Sequence, residues 1–288
     1  MPTFKRSSTL DLHYTLDDIT DPWVDRPYLV LQHGNGRSAA FWYRWIPLLA
    51  GRYRITCPNM RGLGMSVGQL DLDEDITLDA LIGDLLAILD HAGRRSGSLL
   101  RRVDGRHSRN RVTSLTLVST PVFIEDQMKE RYALGRGSRI EAMQSMGMEA
   151  WVRETTQKTR LPADEEPELF EWYIREFAKG DPDVQVAMSK LVNGANAAGF
   201  LTRILVPILG LYPSGGQITS DAQVEMLKDG LANFSDSSPA NRISHGAIAL
   251  FGGMHAIPRR VLHPRRRLTP HTRPSFRGAA RTRNDVWI

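Results

Sequence analysis

An α/β fold, with a mostly parallel central sheet, helices on both faces and a helical block inserted into it, is the class this sequence predicts. Three observations carry the prediction. Short apolar or alternating runs recur at Thr9–Leu16, Tyr28–Gln32, Tyr53–Cys57, Val112–Val118, Val206–Leu211 and Ala247–Phe251. Helical patterns separate several of them, as parallel strands joined by crossovers require. Between about Pro121 and Thr202 the pattern is helical throughout, which reads as a cap.

Thr9–Leu16 alternates apolar and polar residues as a half-buried strand does, whereas Tyr28–Gln32 is the continuous apolar run of a strand covered on both faces. A helix is expected over Ala40–Ala50, then a strand over Tyr53–Cys57 that Pro58 stops. Asp75–Asp79 opens an amphipathic helix with Thr77 as its cap, Leu78, Leu81, Ile82, Leu85, Leu86 and Leu89 at helical spacing, and Gly93 as its end. Val112–Val118 and Val206–Leu211 read as strands by their β-branched content. In the helical block, Trp151, Phe170, Trp172, Tyr173 and Phe177 fall on apolar faces, and Met143, Met146 and Met148 either line a pliable pocket or fill core. The expected division is residues 1–120 and 203–258 for the sheet domain, 121–202 for the cap, and 259–288 for a basic tail whose composition predicts disorder.

Composition narrows the function classes. The only cysteine, Cys57, lies in an apolar run, so a disulfide framework is excluded and a buried apolar role is expected. The net charge of +5 comes from two stretches, 93–111 and 256–288, with seven and nine arginines against one aspartate each. The rest of the chain is acidic, the first stretch carries no interleaved aromatic residues, and the second shows neither helical periodicity nor a nucleic-acid motif, so no nucleic-acid partner is expected. Met1–Arg6 leads into polar residues without an apolar signal region, and no run approaches a membrane span, which predicts a cytoplasmic chain with no membrane partner. Metal-ligand spacing, the dinucleotide fingerprint and the phosphate loop are all missing, so no metal or cofactor is expected.

Two glycine motifs carry chemistry. His33-Gly34-Asn35-Gly36 follows the buried strand, and Asn59-Met60-Arg61-Gly62-Leu63-Gly64-Met65-Ser66 follows the next one. With Ser119-Thr120-Pro121 ahead of the helical block and Gly253-Met254-His255 near the C-terminus, the order from Thr9 to Pro258 resembles the α/β-hydrolase superfamily, closest to lactonase- and esterase-like members. The resemblance implies a small-molecule ester, lactone or similar carbonyl substrate. It also implies an oxyanion-binding backbone N–H at Asn35 with Gly36 shaping the turn, and His255 as general base. Phe41 and Trp42 either wall the acyl pocket or pack under the cap, and His245 is the second candidate base.

The pattern fails at the nucleophile. Between Gly93 and Val112 no Gly-x-Ser-x-Gly occurs, and Ser96, Ser98 and Ser108 lack flanking glycines. The triad acid is displaced as well: its usual position falls on Gly216, leaving Asp126, Glu125 or Asp221, each of which reads equally as a solvated charge or a helix start. Such a chain is either a hydrolase that has lost its nucleophile or a non-catalytic small-molecule-binding relative. Codon degeneracy suggests a source for the loss: Arg101–Arg106 encoded AGG CGA GTC GAC GGG CGG, read one base later, gives Gly-Glu-Ser-Thr-Gly. Residues 94–110 are then an out-of-frame window, and the basic tail has the same arginine-rich character. Sequencing the gene tests this; the expected result is those codons, and codons incompatible with the shifted reading remove the idea.

Overall fold

The computed structural model describes residues 1–95, 112–213 and 216–236 of the 288. The strand expected over Ala247–Phe251, His245, His255, the elbow window and the tail lie outside the described residues.

The chain opens with strands β1 (Thr3–Lys5) and β2 (Leu10–Asp17), then β3 (Tyr28–Val30) and β4 (Arg54–Pro58), with a two-residue β5 (Val67–Gly68) beyond. They form one sheet in the order β1-β2-β4-β3, with β5 paired to β2. A second sheet, β6-β7-β8, is built from Leu115–Val118, Ile208–Leu211 and Phe234–Asp236 and is parallel throughout. The pairs β3–β4, β6–β7 and β7–β8 run parallel, as expected. At the N-terminal edge β2 is antiparallel to β1, to which a short turn joins it, and to β4 and β5.

The two sheets share one apolar cluster, in which Leu29, Leu31 and Ile55 meet Leu211, with Val118 and Leu209 packed alongside. Cys57 lies fully buried in that cluster, and burial pushes its thiol up to about 12, so it behaves as a small apolar side chain.

Sequence periodicity breaks down locally in two helices. Ala40–Ala50 is a 3-10 turn (Ala39–Trp42) followed by a single turn of helix α1 (Ile46–Leu49), with Pro47 in its first turn, where a missing N–H costs nothing. Helix α2 spans Leu78–Arg95 and is capped as expected, Ala80 N–H donating to Thr77 Oγ1 at 3.3 Å. It passes through Gly93 rather than ending there, and Leu78 and Ile82 face solvent while Leu85, Ile88, Leu89 and Ala92 pack on the sheet.

Between β6 and β7 lie helices α3 (Asp126–Ala133), α4 (Arg139–Met146), α5 (Met148–Thr159), α6 (Pro167–Ala178) and α7 (Pro182–Gly194). Their shared core holds Trp151, Phe170, Tyr173 and Phe177, with Met143 and Met148 buried as filling, and takes in Phe41 from the sheet domain. Helix α8 (Asp221–Gly230), capped by Ser220, covers β7 and β8. Among the described residues no helix is long and apolar enough to cross a membrane.

A buried ion pair ties α2 to the second glycine motif. Arg61 grips Asp84 with Nε–Oδ2 at 2.6 Å and Nη2–Oδ1 at 2.8 Å, and both side chains are almost fully enclosed. Arg61 also reaches the Asp75 carbonyl at 3.0 Å, and the half-exposed Arg6 completes the Asp84 shell at 3.1 Å. Removing one partner from such a pair strands the other charge. Asp84→Asn is expected to cost about 3 kcal/mol in urea unfolding, while Arg6→Gln costs under about 1 kcal/mol because water already screens that arm.

Candidate functional site

The loop after β3 turns sharply, Arg37 N–H donating to the Gly34 carbonyl at 3.2 Å. Such a turn needs a left-handed residue at its third position, and Gly36 supplies it with φ 72°. A second constraint acts on the same residue: a Cβ on Gly36 would overlap the Phe177 ring of α6, so the helical insertion closes directly onto this turn. The backbone N–H groups of Asn35 and Gly36 make no hydrogen bond among the described residues. The Asn35 side chain is held from outside the loop, its Nδ2 donating to Ser189 Oγ of α7 at 3.0 Å, while its Oδ1 is buried without a partner.

His33 joins this turn to the second motif. Its Nδ1–H donates to the Gly34 carbonyl at 2.9 Å, and its Nε2 accepts the Met60 N–H at 3.1 Å. Both contacts require the neutral ring, and burial holds the imidazole down to about 4. With both nitrogens engaged, His33 cannot shuttle protons. The neighbouring Asn59 accepts the Ala39 N–H at 2.6 Å and donates to His13 Nδ1 at 2.7 Å. Ser66, fully buried, accepts the His13 N–H at 2.9 Å and donates to the Asn59 carbonyl at 3.0 Å. Gly64, at φ 57°, is crowded by Asn59 and leaves no room for a side chain. The motif from Asn59 to Ser66 is thus a brace for the turn, not a source of reacting groups.

The structure separates the other expected residues. Phe41 faces the helical insertion, with Trp172 and Tyr173 each 5.1 Å from its ring, so it packs under α6. Trp42 turns the other way, edge-on to Trp45 at 5.5 Å in the sheet cluster, and does not stand with Phe41. Asp126 is a correction: at 89% side-chain exposure it starts α3, and the Lys129 ammonium 2.8 Å away holds its carboxyl below the usual range. That is the environment of a solvated helix-start charge. Glu125 accepts from Ser220 Oγ at 2.9 Å, and Asp221 is an exposed first residue of α8.

Sequence reading missed two features. Ser119, at the end of β6, has a left-handed φ of 48°, and its buried hydroxyl has no partner among the described residues. Nothing in Ser119-Thr120-Pro121 signals that strain. Arg37, directly after the turn, donates to Tyr173 Oη at 2.7 Å and stands over that ring at 5.6 Å. No group of histidine, cysteine or acidic side chains suited to a metal occurs among the described residues.

The fold is that of the α/β hydrolases, and the family model described as "alpha/beta hydrolase fold" matches residues 27–139 of the chain. By sequence it is similar to 3-oxoadipate enol-lactonase 2 of Acinetobacter baylyi, 22% identical over 241 residues that cover 79% of this chain and 86% of that protein. By structure it is similar to the enol-lactonase from Burkholderia xenovorans LB400 (TM-score 0.69, 18% identity, 91% of this chain and 98% of that one). It is also similar to a thermophilic esterase from Thermogutta terrifontis (TM-score 0.68, 15% identity, 90% and 94%).

The neutral His33 bridge makes stability depend on pH. The folded-state value lies near 4 against an ordinary 6.5, so the unfolded chain takes up a proton first as pH falls. Stability is fully present above pH 6.5 and declines between 6.5 and 4 by up to roughly 3 kcal/mol. Urea unfolding of wild type and His33→Gln at pH 7 and pH 5 is expected to give a smaller pH-dependent loss in the variant.

Proposed function

We propose that this chain carries the site of a serine-type ester or lactone hydrolase and that, with its elbow missing, it binds small carbonyl compounds with little or no turnover. The observation that carries the reading is the pair of unengaged backbone N–H groups at Asn35 and Gly36, on a turn that only glycine can complete. Donors fixed in advance hold the negative charge that develops on a carbonyl oxygen during acyl transfer, without reorganisation at the moment of reaction.

In the intact chemistry an elbow serine attacks the carbonyl carbon and His255 takes its proton. The tetrahedral oxyanion rests on the Asn35 turn, and the alkoxide leaves with the proton from His255. Water then repeats the sequence to release the acid. Likeness to enol-lactonases and esterases supports the substrate class, and Phe177 is the ring that closes onto the turn. Asp126 does not enter the reading, because its carboxylate is solvated and already paired. Without a nucleophile, what is left is binding and the oxyanion donors, about 10³ to 10⁴ above the rate in water.

A serine-directed phosphonate probe, read by peptide mass spectrometry, tests this. The expected result is no stoichiometric label on the purified chain, together with labelling and ester turnover once residues 101–106 are encoded in the shifted frame. A label on Ser96, Ser98 or Ser119 of the unaltered chain overturns the assignment.

A further inference from the structure

A cleft of about 390 Å³ lies between strand β2 and the 3-10 turn that follows the Gly36 loop. That volume is in the range that holds a small organic molecule. Pro2, Leu16, Ala39, Ala40 and Ile46 give the cleft mostly apolar walls, and Met1 and Tyr43 complete them. Neither Phe41 nor any residue from His33 to Arg37 lines it, so it is separate from the candidate hydrolase site.

The remaining lining is polar and comes from β2. Thr15 and Asp17 are two residues apart on the strand and so project to the same side, the Thr15 hydroxyl donating to Asp17 Oδ2 at 3.2 Å. The carboxylates that follow in the chain are met by cations: Asp18 and Asp25 by Arg54, and Asp21 by Arg26. Asp17, half-buried, has no ion pair among the described residues. Its charge is felt inside the fold, where burial first and Asp17 second hold the Cys57 thiol of the paired strand up at about 12. A carboxylate partly withdrawn from water, with a hydroxyl donor on one side only, gains most from a cationic donor on the other.

The cleft is preformed. Asn59 accepts the Ala39 N–H at 2.6 Å and donates to His13, two residues before Thr15, at 2.7 Å, so one side chain ties the turn to the strand. The Tyr43 ring is set against Trp172 at 4.9 Å and carries the Arg44 guanidinium 5.7 Å over it. Walls fixed in advance spare a ligand the entropy of ordering them.

We propose that this cleft binds a small primary ammonium compound with an apolar body, the ammonium on Asp17 and the body against Leu16, Ala40 and Ile46. The site does not depend on the hydrolase reading. An anion is repelled by the carboxylate and a neutral compound leaves it unpaired, so charge selects the ligand and buried apolar area retains it.

Calorimetric titration of the full chain with phenethylammonium and with neutral 2-phenylethanol, at constant ionic strength, tests it. Wild type is expected to bind the amine about tenfold more tightly than the alcohol. Asp17→Asn, which keeps an acceptor for Thr15, is expected to lose that preference while still binding the alcohol. Asp21→Asn, exposed and already paired with Arg26, is expected to keep it. Ala40→Phe, at an exposed position where the fold tolerates a larger side chain, fills the cleft and is expected to weaken both compounds about tenfold. Thermal melting checks that each variant is folded. Should Asp17→Asn melt early, Asp17→Glu, which keeps the charge, is expected to retain the preference for the amine. Equal affinity for the two compounds in wild type, an unchanged preference in Asp17→Asn, its loss in Asp21→Asn as well, or unchanged affinities in Ala40→Phe overturns the proposal.

Discussion

A neutral imidazole is the joint on which the site depends. His33 donates to the carbonyl of its own turn and accepts from the backbone of the next loop, fixing two glycine-rich segments relative to each other. Neither segment has regular hydrogen bonding of its own to hold it. Around this joint the chain adds interlocking polar contacts: Asn59 to Ala39 and His13, Ser66 to His13 and Asn59, Arg61 to Asp84. Buried polar networks of this kind specify one geometry because every incomplete alternative costs desolvation without return. The turn at Asn35 and Gly36 inherits that rigidity, which oxyanion donors need if they are to act without rearranging.

The polar groups of the helical insertion follow a different logic. Gln185 donates to the Phe177 carbonyl, and Thr155 and Thr159 bond back to their own helix, so much of the insertion is self-satisfied. Among the described residues of the insertion, Arg139 Nε, Arg160 Nε, the Thr156 hydroxyl and Gln185 Oε1 are buried without a partner. The same chain that surrounds Arg61 with carboxylates leaves these two arginines without one among the described residues.

Most of what local sequence controls was legible. β2, β3 and β4 follow from alternation and continuous apolar runs, and the Thr77 cap from its position ahead of a helical stripe. Features set by distant partners were not. Phe234-Ser235-Asp236 has no apolar run and becomes a strand only because β7 offers an edge. Pro47 splits a helical pattern that periodicity alone would continue, and Gly93 is tolerated inside α2 because its neighbours Leu89 and Ala92 are buried. In the site, the turn at Asn35 and Gly36 was legible from its glycines. The gathering of Arg37, Arg139 and Arg160 around Tyr132 was not, since the four come from separate segments that only tertiary packing unites. Asp126 misled because an acid at the right distance along the chain says nothing about whether it faces inward.

Phe177 seated on Gly36 reaches beyond the turn it covers. The ring belongs to the core that also holds Phe41, so the sheet portion contributes a side chain to the helical portion and receives one in return. Neither half owns a complete apolar interior. The two are therefore not interchangeable modules, and recombining this sheet with the insertion of a relative must exchange both contacts together to keep the melting transition cooperative.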